Sequence, residues 1–433
     1  MRKLTKRHDP GGIDVPLRVT YPSYGFQRVG IRSALLFGLT LTMSLAASVV
    51  AIALTSNTSS RSRGDLNHFA SATVATSVPS STTTQPMGPD QSPPAEQIPG
   101  GSTPNAAGFN SVTCVTPSEC VAVGATNNGA ALAAVTSDGG TSWSFDSLPS
   151  GVGQLNAVDC ADSTDCVAVG AGSALTSNDG GVNWTIGSLS LVDATFLGVA
   201  CPAVHRCVAV GVTPNPRGPY GAAIIESNNG GSSWQSASLP SETLGVGSVA
   251  CPTSNECIAV GATILTSTDG GMTWGLGTVA GGIQAVRSLS CSSAQVCVAV
   301  GANAVGTSDP TAGATAIATI DGGTTWNTES LPGGSSGIDE ISCGSADDCV
   351  AIGAPLSGSG PLQMISSTDG GQTWGSVVAP SISDAASLSC TQGPSCVVVG
   401  GSSTSGPTSA SSSNANDPKS WSVSTAISEG NGQ

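Results

Sequence analysis

The residues of this sequence that could do chemistry are its cysteines, its many acids and its few bases. All 14 cysteines lie after residue 108, and each belongs to a pair with five residues between its members. Such pairs could form disulfides or bind a metal ion, but zinc motifs use shorter spacings and nearby histidines, and His205 is the only histidine in this region. We therefore predict seven local disulfides and no metal or cofactor site. The predicted pairs are Cys114 with Cys120, Cys160 with Cys166, Cys201 with Cys207, Cys251 with Cys257, Cys291 with Cys297, Cys343 with Cys349, and Cys390 with Cys396.

These residue types do not favour nucleophilic catalysis. No Ser-His-Asp or Cys-His set is expected, because His205 stands alone and every cysteine is paired. Glycoside hydrolysis instead needs two carboxylates held roughly 5–10 Å apart. We interpret the acids near the ends of the predicted innermost strands as solvated loop residues, and we predict no catalytic residue. Those acids are Asp159, Asp193, Asp339, Glu340 and Asp384.

A short acidic motif, TSTDGGMTW at residues 266–274, recurs along the chain. A calcium loop needs alternating oxygen ligands, whereas each copy of this motif supplies one carboxylate. We predict instead a hairpin in which Asp269 accepts backbone N–H bonds, Gly271 takes a positive φ, and Trp274 packs between neighbouring sheets. The corresponding residues of the other copies are Asp138 and Trp143, Asp179 and Trp184, Asn229 and Trp234, Asp321 and Trp326, Asp369 and Trp374, and, in a degenerate seventh copy, Trp421 alone.

Cysteine pairs and tryptophans alternate along the chain, seven of each, with a period of about 40–52 residues. One unit, residues 248–279, splits into four short apolar runs: a run ending at Cys251, then CIAVGA, ILTS and MTWGLGTV, with turn signals between them. Four strands in a unit of this length are typical of a propeller blade. We predict an all-β protein, a seven-bladed β-propeller of four-stranded antiparallel blades.

The motif S/T-x-D-x-G-x-T-W resembles the Asp-box, or BNR, repeat of sialidase-like propellers. The whole unit, L-x-x-V-x-C…C-V-A-V-G…S-x-D-G-G-x-T-W, resembles the photosystem II assembly/stability factor family over residues 106–425. That resemblance implies a seven-bladed propeller on an exported protein, although cysteine pairs here replace the family's aromatic and glycine positions. Sialidases of this type use an arginine triad and a Tyr–Glu pair. This propeller offers only Arg206, Arg217, Arg287 and Tyr220, so sialidase activity is not favoured.

The first 107 residues differ in composition from the rest. Residues 1–32 are basic, and residues 33–54 form an uncharged apolar run long enough to cross a bilayer. The positive-inside rule predicts a cytoplasmic N-terminus and a single-pass membrane anchor, with the rest of the chain extracytoplasmic. The alternative is a signal peptide cleaved near AIA at 51–53, which would release a secreted protein. The remaining predicted parts are a disordered Ser/Thr/Pro linker at 55–107, the propeller at 108–426 and a tail at 427–433.

Charge and loop length bear on the partners. From residue 106 onward, four bases stand against 23 acids, a net charge of −19, so we expect no nucleic-acid partner. Insertions of varied length are predicted on the face opposite the Asp motif, where binding residues are common. Arg217 and Tyr220 are the candidate binding residues there. The predicted insertions lie at 211–223, 301–316, 353–363 and 400–414.

These observations together predict a non-catalytic binding or assembly scaffold, anchored in the membrane by its N-terminal helix. Its partner would be a protein or a glycan on the face that carries the insertions. The alternative is a carbohydrate-active protein, either a sialidase-like glycoside hydrolase or a lectin-like binder of cell-wall glycans.

Overall fold

The computed structural model describes residues 106–214, 220–241, 243–277, 285–302, 313–332, 337–353, 362–382, 384–402, 406–417 and 419–424. The predicted basic segment, the apolar segment at 33–54, nearly all of the linker and the tail lie outside these residues. Within the described part of the chain, no helix is long and apolar enough to cross a membrane.

In the described ranges, 28 strands form seven sheets, each made of four antiparallel strands that are consecutive in the chain. The fold is therefore the predicted all-β, seven-bladed propeller. Blades 1 to 4 contain β1 (Ala106–Cys114), β2 (Cys120–Thr126), β3 (Ala131–Thr136), β4 (Ser144–Phe145); β5 (Leu155–Cys160), β6 (Cys166–Gly170), β7 (Ser173–Ser177), β8 (Thr185–Ile186); β9 (Thr195–Ala203), β10 (Arg206–Thr213), β11 (Gly221–Ser227), β12 (Gln235–Ser236); and β13 (Val246–Ala250), β14 (Cys257–Gly261), β15 (Ile264–Ser267), β16 (Gly275–Leu276). Blades 5 to 7 contain β17 (Ala285–Cys291), β18 (Cys297–Ala302), β19 (Ala314–Thr319), β20 (Asn327–Glu329); β21 (Glu340–Cys343), β22 (Cys349–Gly353), β23 (Gln363–Ser367), β24 (Gly375–Val377); and β25 (Ala385–Thr391), β26 (Ser395–Ser402), β27 (Gly406–Ser412), β28 (Ser422–Ser424).

The outermost strand is short in every blade of the described chain. In blade 4 the run MTWGLGTV was expected to form this strand; of its described residues, 272–277, only Gly275 and Leu276 pair, with Thr266 and Leu265, and residues 278–279 lie outside the described part of the chain. The outermost strands of the other blades contain two or three residues. An outermost strand has a partner on one side only, and a short one leaves few unpaired backbone groups at the rim.

The second strand of each blade explains why the blades pack. In blade 1, Val121 and Val123 pack against blade 2, whereas Cys120 and Ala122 share a buried cluster with Trp143 and two valines of blade 7. Side chains alternate along a strand, so the run C-V-A-V places large residues on one face and small residues on the other. The small face leaves room for the large residues of the preceding blade. Seven buried clusters of this kind, one at each seam, form the core.

A disulfide closes the first hairpin of every blade, and the pairing of all 14 cysteines is the predicted one. The Cα atoms of the paired cysteines lie 4.0–4.1 Å apart. In blade 1, Cys114 and Cys120 are directly opposite each other in the antiparallel register. Five intervening residues thus form a turn that the disulfide fixes at its base.

The ring closes without exchanging a strand between its ends, because blade 1 and blade 7 each use four consecutive strands. At their seam, the N–H of Val112 donates to the hydroxyl of Ser387 over 3.2 Å. The N–H of Cys114 donates to the hydroxyl of Ser389 over 3.0 Å. Side-chain hydrogen bonds and the packing around Trp143 therefore join the first blade to the last.

Candidate functional site

The acid of the recurring hairpin makes bonds within its own turn. In blade 4, Asp269 Oδ1 accepts the Thr273 N–H at 2.9 Å and the Ser267 hydroxyl at 2.8 Å. Its Oδ2 accepts the Thr273 hydroxyl. Burial acts to raise the pKa of Asp269, but the hydrogen bonds from Thr273 and Ser267 together outweigh that effect and hold the pKa below its usual value. A carboxylate held ionised in this way is suited to ordering a turn rather than to proton transfer.

The same bonds recur in most blades. In blade 3 an amide replaces the acid: Asn229 Oδ1 accepts the Ser233 N–H at 2.9 Å, and its Nδ2 donates to the Ser233 hydroxyl at 2.8 Å. Blade 7 departs from the pattern, since Asn414 Oδ1 accepts the Asn416 N–H instead. In the other blades that carry an acid, its Oδ1 accepts the backbone N–H of the residue four positions later. These acids are Asp138, Asp179, Asp321 and Asp369.

The hairpins and the cysteine-bracketed turns lie on one side of the ring, which we call the turn face. In blade 4, Gly270 N–H donates to the carbonyl of Asn255 in the cysteine turn over 2.8 Å. Gly270 and Gly271 have φ values of +77° and +90°. A Cβ on Gly271 would lie 2.6 Å from a Val208 methyl of blade 3, so this position needs glycine for space as well as for φ. Arg206 adds a second link to blade 3, donating to the carbonyl of Asp269 over 3.1 Å.

The tryptophan of each hairpin lies at a seam between blades. Trp274 is 6% exposed and belongs to the buried cluster between blades 3 and 4. Its indole N–H donates back to the Gly271 carbonyl over 2.9 Å. The indole of Trp143 donates to Ser409 of blade 7 as well. The tryptophan therefore connects the hairpin of one blade to the core of the preceding seam.

The opposite side, which we call the loop face, consists of the loops between second and third strands and the connections between blades. The insertions predicted on this face are longer than the loops between the paired strands. Gly211–Thr213 pair with Gly221–Ala223, which leaves a loop of 214–220 rather than 211–223. Most of the predicted insertion 400–414 is strand, because the register that starts at Cys396 continues to Ser402. The insertions at 301–316 and 353–363 likewise begin and end in paired strand.

Of the two candidate binding residues, Tyr220 is described and Arg217 lies outside the described residues. Tyr220, directly before β11, is 44% exposed. Its carbonyl accepts the Gly245 N–H over 3.1 Å. Leu244 is 37% exposed and bridges to Gly221. Tyr220 and Leu244 are therefore exposed side chains on neighbouring segments of the loop face, and we call these two residues the loop-face patch.

The innermost strands surround a central channel that encloses a cavity of about 280 Å³. Two rings of residues line it. The outer ring contains the residue directly before the first cysteine of each blade. The inner ring contains the residue three positions before that same cysteine. The outer ring is Thr113, Asp159, Ala200, Ala250, Ser290, Ser342 and Ser389. The inner ring is Ser111, Ala157, Gly198, Ser248, Ser288, Glu340 and Ser387.

Two carboxyl groups line the cavity, Asp159 on blade 2 and Glu340 on blade 6. Asp159 Oδ2 accepts the Cys201 N–H of blade 3 at 2.7 Å, and its Oδ1 accepts the Thr113 hydroxyl of blade 1 at 3.2 Å. Burial raises the pKa of Asp159 to about 6, although the bonds from Cys201 and Thr113 act in the opposite direction. Asp159 thus joins three blades. Its position in the sequence indicated a solvated loop acid and did not predict this role.

A third set of side chains lies four positions before each first cysteine. In blades 1 and 2, Asn110 and Asn156 donate to the carbonyls of Leu155 and Phe196 in the next blade, both over 2.8 Å. The register shifts at these positions, because a β-bulge adds a residue to the strand and redirects its side chain. The corresponding residue of blade 5, Arg287, forms an ion pair with Asp339 of blade 6.

The five acids singled out from the sequence therefore lie in different surroundings. Asp159 and Glu340 share the channel, Asp339 is paired with Arg287, and Asp193 is exposed in the connection between blades 2 and 3. Asp384 adopts a φ of +55° just before β25, a conformation that is uncommon outside glycine.

Sequence reasoning missed Asp146, which follows β4. Its Oδ2 is buried and has no hydrogen-bond partner. Burial, together with the nearby charge of Asp179, raises the pKa of Asp146 to about 7. No motif marks this residue, because its environment depends on the hairpin of the next blade.

No protein-family model and no curated protein matches the chain. Among solved structures, the chain is similar to YCF48 from Cyanidioschyzon merolae, with 17% identity over 71% of this chain and 95% of that one and a TM-score of 0.49. It is similar to the WD40 repeats of RRP9, with 12% identity over 68% and 88% of the two chains and a TM-score of 0.49. A GH74 xyloglucanase from Xanthomonas campestris matches with 15% identity over 73% of this chain, 55% of that chain and a TM-score of 0.31. These similarities are too distant to assign a function.

Proposed function

We propose that this protein is an exported, membrane-anchored, non-catalytic scaffold that binds a protein partner through its loop face. The observation that carries the proposal is a contrast within one ring. The acids of the turn face bond to their own turns, whereas the loops of the opposite face differ in length and expose apolar side chains such as Tyr220 and Leu244. Variable loops on a rigid framework are where proteins usually place recognition.

Composition supports the export and anchoring parts of the proposal. The basic residues 1–32 and the apolar run 33–54 favour a single-pass anchor with the propeller outside the cytoplasm. Seven disulfides favour an oxidising compartment, because cytosolic thiols are kept reduced. N-terminal sequencing of the protein from its native membrane would distinguish an anchor from a cleaved signal peptide.

The binding experiment compares exposed apolar residues on the two parts of the surface. Full-length protein carrying Tyr220→Ala and Leu244→Ala is cross-linked in native membranes, purified and analysed by mass spectrometry. Ile186→Ala is the matched control, because Ile186 is 59% exposed on an outermost strand away from the loop face. We expect the loop-face variant to lose partners that the wild type and the control retain. Equal capture by all three proteins would contradict the proposed face.

A carbohydrate-active protein is the second candidate, and the shared position of Asp159 and Glu340 on one channel favours it. Carboxylates in a cavity can bind sugar hydroxyls or, at a suitable separation, cleave a glycosidic bond. A glycan array and a hydrolysis screen on the full-length protein test this candidate. Turnover of any glycan that Glu340→Gln abolishes would replace the non-catalytic proposal.

A further inference from the structure

The backbone N–H of the first cysteine in each blade is not used within its own sheet. The paired cysteines have Cα atoms only 4.0–4.1 Å apart, a separation typical of opposed residues that do not exchange backbone hydrogen bonds. This N–H therefore needs an acceptor outside its blade, and in four blades an outer-ring side chain of the preceding blade supplies one. Those bonds join the N–H of Cys114 to Ser389, Cys201 to Asp159, Cys343 to Ser290 and Cys390 to Ser342, over 2.7–3.0 Å.

Blades 4 and 5 lack this acceptor. The outer-ring residues that precede them are Ala200 and Ala250, whose side chains carry no oxygen. Within the described ranges, neither Cys251 nor Cys291 donates its N–H to an acceptor outside its own sheet. Both cysteines are half-buried and line the cavity of about 280 Å³. Two neighbouring blades thus present unpaired donors to one cavity, and a backbone N–H removed from water is seldom left without a partner.

A carboxyl group lies beside these donors at the same level of the channel. Asp159 Oδ2 accepts the Cys201 N–H at 2.7 Å, and a hydroxyl on residue 200 would accept that of Cys251 in the same way. Because Ala200 directly precedes Cys201 in β9, the carboxyl group and the place of the missing hydroxyl are neighbours on adjacent blades. The cavity therefore has an acceptor next to its unpaired donors.

Asp159 can accept one further bond from a ligand. A carboxylate offers about four acceptor sites. The hydrogen bonds from Cys201, Thr113 and the N–H of Cys160 use three of them. Glu340, the other acid that lines the cavity, interacts within the protein and is not part of this site.

From this arrangement we propose that the channel binds a free α-amino acid. Its carboxylate accepts the N–H groups of Cys251 and Cys291, in the places that side-chain oxygens fill in four other blades, and its ammonium group donates to Asp159. Such a ligand joins an acceptor-only group to a donor-only group through one carbon, which suits donors and an acceptor on adjacent blades. The cavity is slightly smaller than the roughly 300–1,000 Å³ typical of sites for drug-sized molecules, so it favours a small side chain. This site is separate from the loop face, so its test does not depend on the proposed partner.

Titration calorimetry on the purified full-length protein tests the proposal with L-alanine as the probe. L-Alaninamide and N-acetyl-L-alanine are the matched ligands, since the first lacks the carboxylate and the second lacks the ammonium group. We expect L-alanine to bind about tenfold or more tightly than either of them. Hydrogen exchange at the amides of Cys251 and Cys291 should slow when L-alanine is bound, because both are then hydrogen-bonded. No binding of L-alanine, or equal binding of all three compounds, would overturn the proposal.

Substitutions locate the site on the protein. Ala200→Ser and Ala250→Ser each supply the hydroxyl that other blades use, so each should occupy one unpaired N–H and weaken L-alanine binding about tenfold or more. Asp159→Asn should weaken it by a similar factor through the ammonium group. Ala130→Ser is the matched control, because Ala130 is exposed outside the channel, and it should leave binding unchanged. Full binding by the protein that carries both channel serines, or equal loss in the control, would overturn the assignment. The comparison of ligands on the wild type decides the proposal if a channel variant fails to fold.

Discussion

The turn face and the loop face are made by the same seven blades, yet they differ in how their turns are held. On the turn face, the first glycine of the hairpin donates to a carbonyl of the cysteine turn in six blades, and the second packs against the preceding blade. On the loop face, the segment between the second and third strands ranges from two residues in blade 2 to eleven in blade 5. A turn that contacts two neighbours cannot change length without disturbing both. Differences in length between the blades therefore lie on the loop face.

The largest expected effect compares two glycines with positive φ, one on each face. Gly271 has a φ of +90° and no space for a Cβ, whereas Gly129 has a φ of +76° and nothing within 4 Å of that position. Gly271→Ala should cost about 3 kcal/mol of unfolding free energy, because it adds a steric clash to the strain of the backbone. Gly129→Ala should cost about 1 kcal/mol, from the backbone alone. Urea denaturation measures both, and equal costs would contradict the difference between the faces.

Removing one disulfide should have the next largest effect. The double substitution Cys251→Ala and Cys257→Ala should lower the unfolding free energy by about 2 kcal/mol, because the chain without this disulfide has more conformational freedom in the unfolded state. Denaturation under reducing conditions is the control. The wild type should then lose more stability than the variant, since it has one more disulfide to lose. An unchanged variant under oxidising conditions would show that this disulfide does not stabilise the turn.

Substituting the hairpin acid should have an intermediate effect that depends on the replacement. Asp269→Ala removes three hydrogen bonds and should cost about 1–2 kcal/mol. Asp269→Asn should cost less than about 1 kcal/mol, because Asn229 makes equivalent bonds in blade 3. Asp193→Ala, at an exposed acid, is the control and should have almost no effect. Thermal denaturation would contradict this prediction if alanine and asparagine were equally destabilising at residue 269.

An effect of comparable size depends on pH. Folding raises the pKa of Asp146 from 3.8 to about 7 and that of Asp159 from 3.8 to about 6. The folded state then binds these protons more tightly than the unfolded state, so the stabilisation is complete below pH 3.8 and is lost as the pH rises through 6 to 7. With solvent screening allowed for, Asp146 should contribute about 2 kcal/mol of this change. Asp146→Asn should flatten the stability profile between pH 4 and 7, and an unchanged profile would exclude Asp146 as the source.

The smallest effect on stability is expected at the loop-face patch. Tyr220→Ala should change the unfolding free energy by less than about 0.5 kcal/mol, because the side chain is exposed. Its effect on partner capture should nevertheless be large if the proposed face is correct. A strongly destabilised variant would instead give Tyr220 a structural role.

The sequence predicted what each repeat determines by itself. The spacing of Cys251 and Cys257 indicated the disulfide, and the recurrence of Asp269 with Trp274 indicated the hairpin and the seam. It did not predict the channel, because Asp159 becomes buried only when the innermost strands of other blades surround it. The strand Gly406–Ser412 was also missed, because its Gly, Pro and Ser residues are typical of a loop and pair only through the register set by β26.

Closure of the ring without an exchanged strand has a consequence for where the chain can begin and end. The seam between blades 7 and 1 uses the same serine-to-backbone bonds as the seams between blades 4 and 5 and between blades 5 and 6, with the bond from Trp143 to Ser409 in addition. A circular permutant of the propeller that joins Ser424 to Ala106 by a flexible peptide and opens the chain between blades 3 and 4 should therefore assemble the same seven blades. In this respect the position of the termini in the fold is interchangeable, and any blade could be the first.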